Sequence, residues 1–374
     1  MQCIGIDGRF ASGVGGLGTF TRGIVRALLQ RSDPWNITLF VNSRSNEWLS
    51  DFSNSPRLSI VLAPFPHYSL SEQCRFPSII KASGCDLFFS PHFIAPLFCP
   101  VPTIVTVHDL ILHHYPNEAG LLRRLAYRFL FASSLRAATA IVTVSESTKR
   151  DLLKRHPDSE RKLTVSYPGI DEGLVRATEN DISRVRQHYH LEKPFLLYVG
   201  NCKEHKNVPM LIEAFKQASL PNTDLVLVCG GKECESLVLP EGVRKISEVR
   251  GEEFSAFYSA ALALVTASLD EGFGLPMVEA MACGTPVLAT TCGSIPEICG
   301  EHALLVEPIT QALSAGIQRI ATDPIFRSAS ALQAASQWVR KYDWNASAAT
   351  LAALFSKHLS TCPTSAPPLH SPSI

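Results

Sequence analysis

Residues 268–299, SLDEGFGLPMVEAMACGTPVLATTCGSIPEIC, leave little freedom in how they fold. They open just after an apolar run, Ala260–Ala267, that reads as a buried strand. A glycine-bearing turn, Glu271–Gly274, follows. Pro276 suits the first helical position, where a missing N–H costs nothing. The spacing predicts a short helix to about Cys283, stopped at Gly284 as its C-cap. Thr285–Ala289 is the next apolar strand. The alternation recurs along the chain, with strands predicted at Cys3–Ile6, Ile37–Val41, Leu58–Ala63, Asp86–Ser90, Thr103–Val107, Ala140–Val144, Phe195–Val199 and Leu225–Cys229. Strands separated by helical segments argue for parallel, doubly wound α/β sheets. A chain of 374 residues exceeds one average core, so two domains are expected.

The unit carries two acids, Glu271 and Glu279, with seven residues between them. Glu271 lies in the loop at a strand's carboxyl end, where open α/β sheets bind ligands. Glu279 lies one turn into the helix. Between them Phe273, Gly274 and Leu275 offer backbone N–H groups at a helix N-terminus, which attracts anions. Two carboxylates around an anion site suit a diphosphate with a sugar on each side. One acid then holds hydroxyls of the sugar to be moved, and the other the ribose of a nucleotide. A plain helix start, with acids favoured by the macrodipole, accounts for the same residues. The longer string EGFGLPMVEAMACGTPVLAT resembles, almost letter for letter, the E-x7-E signature of the family-4 retaining glycosyltransferases. The resemblance implies the GT-B fold: two Rossmann-like domains facing a cleft, with the last helix crossing back to the first domain. It implies transfer of a sugar from a nucleotide diphosphate sugar to a hydroxyl, with retained configuration.

In the first half, Gly13–Phe20 (GVGGLGTF) fits G-x-G-x-x-G, with a helix expected from about Thr19 to Gln30. A nicotinamide cofactor is disfavoured, because the motif sits several residues past the strand and the second strand ends in Asn42 rather than an acid. The family resemblance assigns Gly15, Gly16 and Gly18 to a G-G-x-G loop whose backbone approaches the donor phosphates, a task that a Cβ would obstruct. A surface loop is the plain alternative. Val107 leads into His108-Asp109. A histidine at a strand's carboxyl end binds a sugar hydroxyl or polarises a reacting group, with Asp109 orienting it; the bland reading is a histidine satisfied by backbone. Pro91-His92-Phe93 is expected to shape the acceptor side. Ser145 reads as an N-cap. His113 and His114 find no third metal ligand at suitable spacing, so they read as packing or solvated residues. Leu121–Arg136, LLRRLAYRFLFASSLR, is apolar with four arginines. It reads either as a core helix with a solvated arginine face or as a peripheral contact with an anionic membrane surface.

The expected division is a first domain over 1–175, a linker over 176–193, a second domain over 194–340, a returning helix over 341–360 and a disordered tail over 361–374. Asn201–Asn207 follows the first strand of the second half. Lysines beside a helix N-terminus make a sound diphosphate site. The resemblance assigns the phosphate lysine to Lys206, with Lys203 supplying a second charge. The sequence departs from the family pattern here, since Asn201 and His205 stand where relatives carry an arginine. Arg250 and Glu252 receive no role. Asp343-Trp344 resembles the family's usual start of the last helix.

Formal charge is zero, from 34 basic and 34 acidic residues, so nucleic acid is excluded as a partner on electrostatic grounds. No apolar run reaches the roughly 18 residues of a membrane span. Eleven scattered cysteines without a C-x-x-C pair argue against zinc and for reduced thiols in a cytoplasmic protein, peripheral on the inner membrane face if 121–136 binds lipid. No D-x-D pair is placed to hold a divalent ion, so no metal is expected. The segments IGIDGRF, FFSPHF, VHDL and YVG resemble the bacterial mannosyltransferase-like branch of the family. GDP-mannose is therefore the expected donor, and a glycan or lipid-linked acceptor in cell-surface polysaccharide synthesis the expected partner. Another GT-B enzyme of nucleotide sugars (a UDP-sugar transferase or an epimerase) and a catalytically silent nucleotide-sugar-binding protein are the competing readings.

Overall fold

The computed structural model describes residues 2–13, 15–52, 55–115, 120–247 and 249–360. The tail expected to be disordered lies outside them.

Two parallel sheets form the frame. The first contains β1 (Gln2–Asp7), β2 (Trp35–Val41), β3 (Leu58–Leu62), β4 (Leu87–Ser90), β5 (Thr103–Val107), β6 (Ala140–Thr143) and β7 (Leu163–Val165), in the order β3-β2-β1-β4-β5-β6-β7. The second contains β8 (Phe195–Val199), β9 (Asp224–Val228), β10 (Val243–Ile246), β11 (Ala263–Val265), β12 (Val287–Thr290) and β13 (Leu304–Val306), in the order β10-β9-β8-β11-β12-β13. Strands β4, β5, β6, β9, β11 and β12 are buried along their whole length. Helices cover both faces, and for that reason these strands read as continuous apolar runs. In each sheet the strand order reverses once, between β1 and β4 and between β8 and β11. A crevice opens at each reversal, outside the carboxyl ends of the strands.

Three elements differ from expectation. The first helix runs Gly16–Gln30, three residues earlier than its apolar periodicity suggests. Gly15, at φ 98°, is its N-cap, so the glycine-rich string is the helix's own first turn. The stretch 176–193 holds a helix, Glu179–His188, packed on the second domain: Tyr189 lies edge-on to Phe257 at 4.8 Å, and the Ala177 N–H donates to Ser259 at 2.9 Å. Its amphipathic polarity, with only Ile182 and Val185 buried in the helix, is what made it look like a linker. Strands β7, β10 and β13 were not expected as strands.

Helix Trp344–Leu359 follows the second domain but is anchored in the first core. Phe355 packs against Trp35 at 5.8 Å and Phe89 at 5.5 Å. Trp344 lies so close to Gly23 that a Cβ there would fall 2.4 Å from the indole. The chain also pairs Ile170 with Asp343 in an isolated parallel bridge.

Candidate active site between the two sheets

The loops leaving β8 and β11 meet at the second sheet's reversal point. After β8 a tight turn over Glu204–Lys206 leads to Asn207, held left-handed at φ 49°, and into helix Val208–Ala218. His205 is buried in this turn, and its carbonyl accepts the Leu269 N–H at 2.7 Å. That bond fixes the lysine-bearing turn to the loop after β11. Lys206 Nζ then lies 2.5 Å from Glu271 Oε1. Ser268 Oγ donates to the same oxygen at 2.8 Å. Beneath the pair, Tyr198, Thr266, Pro276 and Met277 help to line a cavity of about 10 Å³. It has room for one water at most. Anything larger that meets Lys206 and Glu271 must lie outside, on the cleft side.

The helix carrying the second acid runs Leu275–Ala282, with Cys283 as cap and Gly284 left-handed at φ 69°. Gly274, its N-cap, has φ 94°, a conformation that favours glycine. The N–H groups of a helix's first turn have no partner within the helix, and Pro276 contributes none. Phe273 does not face the cleft with its ring. It is buried, 5.1 Å from Tyr342 and edge-on, so only its backbone serves the loop. Gly16, from the first domain, approaches from the other side: a Cβ there would stand 3.8 Å from Leu275 Cδ1. Gly15 and Gly16 are exposed, whereas Gly18 is packed in the helix against the Gly13 carbonyl.

The first domain also supplies His108. Its Nε2 lies 2.7 Å from the Pro91 carbonyl, which makes that nitrogen the donor in the neutral ring and leaves Nδ1 as acceptor. Phe20 stands edge-on at 4.8 Å. Burial holds the imidazole below its ordinary pKa, against the opposing pull of the Pro91 carbonyl and the Asp109 charge. Asp109 does not hydrogen-bond the ring. Its carboxylate accepts the N–H of Ile111, the first residue of the short helix Ile111–His114, at 3.0 Å. The expected orienting contact is therefore replaced by an electrostatic one.

Gly272 joins these halves. A Cβ on it would fall 2.0 Å from the His108 carbonyl, so only glycine permits the approach. Its own carbonyl accepts from Ser145 Oγ at 2.7 Å. Glu271 and His108 thus border one cleft. Lys203, by contrast, is exposed; its N–H is held by Asn201 Oδ1 at 3.2 Å, and it meets Lys206 through backbone, its carbonyl accepting the Lys206 N–H at 2.9 Å. Glu279 is half-buried and accepts from the Tyr258 hydroxyl at 2.7 Å. Burial raises its pKa.

Both halves of the chain are similar to known proteins. The model for Glycosyltransferase Family 4 matches residues 14–174, and that for Glycosyl transferases group 1 matches residues 180–337. The chain belongs to the family-4 glycosyltransferases. It is 29% identical over 255 residues to the O-antigen chain mannosyltransferase RfbU of Salmonella typhimurium, covering 66% of this chain and 68% of the other. It is 25% identical over 270 residues to the O-antigen chain mannosyltransferase B of Escherichia coli, covering 69% of each. Its fold superposes on sucrose-phosphate synthase from Thermosynechococcus elongatus with a TM-score of 0.78, at 23% identity, over 97% of this chain and all of that one. The fold is GT-B.

In this glycosyltransferase several contacts across the cleft escape the sequence reading. His114 bridges two acids: Nδ1 lies 2.7 Å from Asp270, in the second domain, and Nε2 lies 3.0 Å from Asp151, in the first. Burial raises the pKa of Asp270, and His114 opposes it. Glu297 accepts the N–H groups of Glu146 and Ser147, each at 2.8 Å, and the Tyr167 hydroxyl at 2.8 Å. A carboxylate of the second domain thereby caps a helix of the first. Ser145 is the expected N-cap, accepting from Thr148 N at 3.0 Å, and through Gly272 it is a cross-domain contact as well. The expectation of reduced thiols fails at two positions, since Cys202 and Cys234 form a disulfide. Spacing of 32 residues gave no local signal for it.

Proposed function

We propose that this glycosyltransferase moves mannose from GDP-mannose to a hydroxyl of a glycan or lipid-linked acceptor in cell-surface polysaccharide synthesis. The observation that carries the reading is the Lys206–Glu271 pair, set at the reversal point of the second sheet, in the loop that leads to Leu275, which Gly16 of the first domain approaches. Lys206 meets the donor diphosphate, together with the N–H groups near Gly274. As the sugar–phosphate bond breaks, negative charge grows on the leaving diphosphate, and a fixed cation and helix N-terminus stabilise it. Glu271, released from Lys206, holds hydroxyls of the sugar beside the transferring carbon. Glu279 holds the ribose. His108, neutral with its acceptor nitrogen available, sits on the sugar or acceptor side. Configuration is retained, with the leaving phosphate oxygen taking the acceptor proton on the same face. This chemistry asks for no metal, so activity should survive excess chelator.

The likeness to two O-antigen mannosyltransferases supports the sugar. The helix Leu121–Ala137 supports an acceptor at a lipid surface on the cytoplasmic side. Tyr127, Phe131 and Leu135 face the core, while Leu125, Phe129, Arg128 and Arg136 are exposed. An outward face of apolar and basic residues suits anionic headgroups. Co-sedimentation with anionic vesicles should fall in Phe129→Ser; equal sedimentation would remove the lipid contact.

The deciding experiment is a thermal-shift screen against GDP, UDP, ADP and their sugar conjugates. A ligand bound only by the folded chain raises its melting temperature by mass action. Shifts with GDP and GDP-mannose alone are expected. Shifts with UDP or ADP species instead would overturn the mannosyl donor and keep the site.

A further inference from the structure

Three cysteines converge where the loops after β8 and β9 meet. Cys202 follows Asn201, Cys229 follows the last residue of β9, and Cys234 lies in the short turn of helix Lys232–Glu235. Their sulfurs lie within 4.8 Å of one another. Cys202 and Cys234 are bonded, with Cα atoms 5.2 Å apart, inside the range that a disulfide spans. Cys234 is buried, whereas Cys202 is half-exposed, so a small thiol or disulfide reaches the Cys202 sulfur first. The bridge joins two loops with different duties. On one side, the Tyr198 hydroxyl donates to the Asn201 carbonyl at 2.5 Å, Asn201 receives the Lys203 N–H, and the turn that follows places Lys206. On the other, Lys245 from β10 donates to the Cys234 carbonyl at 3.1 Å, anchoring that end to the sheet.

We propose that Cys202 and Cys234 are a reversible thiol–disulfide couple that sets how tightly the Lys206 loop grips the donor diphosphate. The proposal rests on the reading of that loop as the donor site. Oxidation needs a small disulfide, RSSR. The Cys202 thiolate attacks one of its sulfurs, an S–S bond forms, and RS⁻ leaves. The Cys234 thiolate then attacks the Cys202 sulfur and displaces the second RS⁻. Two cysteine thiols are oxidised, RSSR is reduced, and the two thiol protons end on two RSH. Excess thiol runs the sequence backwards. A metal centre explains the trio less well. Once the bridge forms, only Cys229 keeps a thiol, and its burial raises its pKa and disfavours the thiolate a metal would need. Among the described residues, no imidazole or carboxylate joins the three sulfurs.

With the bridge closed, the loop is held in its binding shape before the donor arrives, and less ordering is left for binding to offset. The purified chain, equilibrated in reduced or oxidised glutathione, is denatured and alkylated, and its mass is read. The same samples are assayed for GDP thermal shift and GDP-mannose KM. Oxidised protein should carry two fewer labels, missing from Cys202 and Cys234, and thiol should restore them. Its KM should be about three- to tenfold lower than that of the reduced form. Cys202→Ser and Cys234→Ser should each fix the reduced KM in both buffers, while Cys229→Ser keeps the difference. Full labelling of both cysteines in every buffer overturns the couple. So does one equivalent of zinc bound by reduced protein and lost in Cys229→Ser, which marks a thiolate metal site. A bridge that forms and breaks with no change in KM overturns its link to the donor. The labelling needs no nucleotide, so a working bridge in a chain that binds no GDP, UDP or ADP would overturn the donor reading itself.

Discussion

At the scale of the residue, Lys206 and Glu271 satisfy each other at 2.5 Å. In the proposed function a diphosphate competes for the cation, and sugar hydroxyls compete for the carboxylate. Glu271→Gln keeps the side chain's shape and its contact with Ser268 but removes the charge. Loss of a preorganised charge at the reacting centre is expected to lower kcat by about 10²–10³, with donor affinity changed far less. Lys206→Ala should raise the donor KM as well, because the leaving diphosphate loses its cation before and during the reaction. Initial rates with the donor identified by the thermal-shift screen check both, and an unaltered rate in Glu271→Gln would remove it from the mechanism. Gly272 is tested through stability. Its missing Cβ leaves room for the His108 carbonyl, and Gly272→Ala should cost about 1–3 kcal/mol as backbone shifts to relieve the clash. Urea unfolding measures it. A neutral result would mean that the two domains do not pack at this point.

At the scale of the element, the legible and illegible parts divide by burial and by sequence distance. Strands β5 and β8 fall where the sequence places them, because β8 is apolar throughout and β5 is β-branched throughout, each bounded by turn signals. The strands that escaped, β7, β10 and β13, are edge strands of three or four residues, mostly half-buried. With one side open to solvent they need no continuous apolar run, and so leave no pattern. The site divides in the same way. Glu271, Glu279 and the glycine turns were found because they stand in local strings. His114 and Asp270, or Glu146 and Glu297, are more than 150 residues apart, and no local period records such a contact. The Glu297 contact shows what that hides. Its carboxylate adds to the Ser145 cap at the N-terminus of helix Glu146–Arg155 by accepting the two N–H groups that Ser145 leaves, and its negative charge complements the dipole. Glu297→Ala leaves two N–H groups and the Tyr167 hydroxyl without this partner, and should cost about 1.5–3 kcal/mol. The loss should be much smaller in an isolated second domain, if that domain is expressed, since the partners lie in the first. Equal losses in both would show that Glu297 acts within its own domain.

At the scale of the whole molecule, the two domains enclose several histidines, and their burial ties stability to pH. His92 and His108 are pushed below their ordinary values by desolvation, and His113 is pushed down to about 4 by desolvation and then by Arg155 and Arg128. Each binds a proton less readily folded than unfolded. Well above the ordinary value of 6.5 neither state is charged at these rings, and stability is at its plateau. As pH falls below 6.5 the unfolded chain takes up protons that the folded chain refuses, and stability declines toward the folded-state values. Each ring contributes at most about 1.4 kcal/mol per pH unit, so the three together set an upper slope of about 4. Carboxyls raised by burial, Asp270 and Glu279, act in the opposite sense, since their folded forms hold protons more readily than their unfolded ones. They add stability as pH falls through their raised folded values, and so make the histidine limb shallower where the two overlap. Melting temperature should therefore be flat above pH 7 and fall from there to pH 5. His113→Gln keeps a polar partner for the Tyr127 hydroxyl, 3.2 Å from His113 Nδ1, and removes one titrating ring. It should make the fall shallower without moving the plateau far. A melting temperature that holds constant from pH 7 to pH 5 would mean that these rings are hydrated enough to charge within the folded protein, and that the cleft wall is looser than its packing indicates.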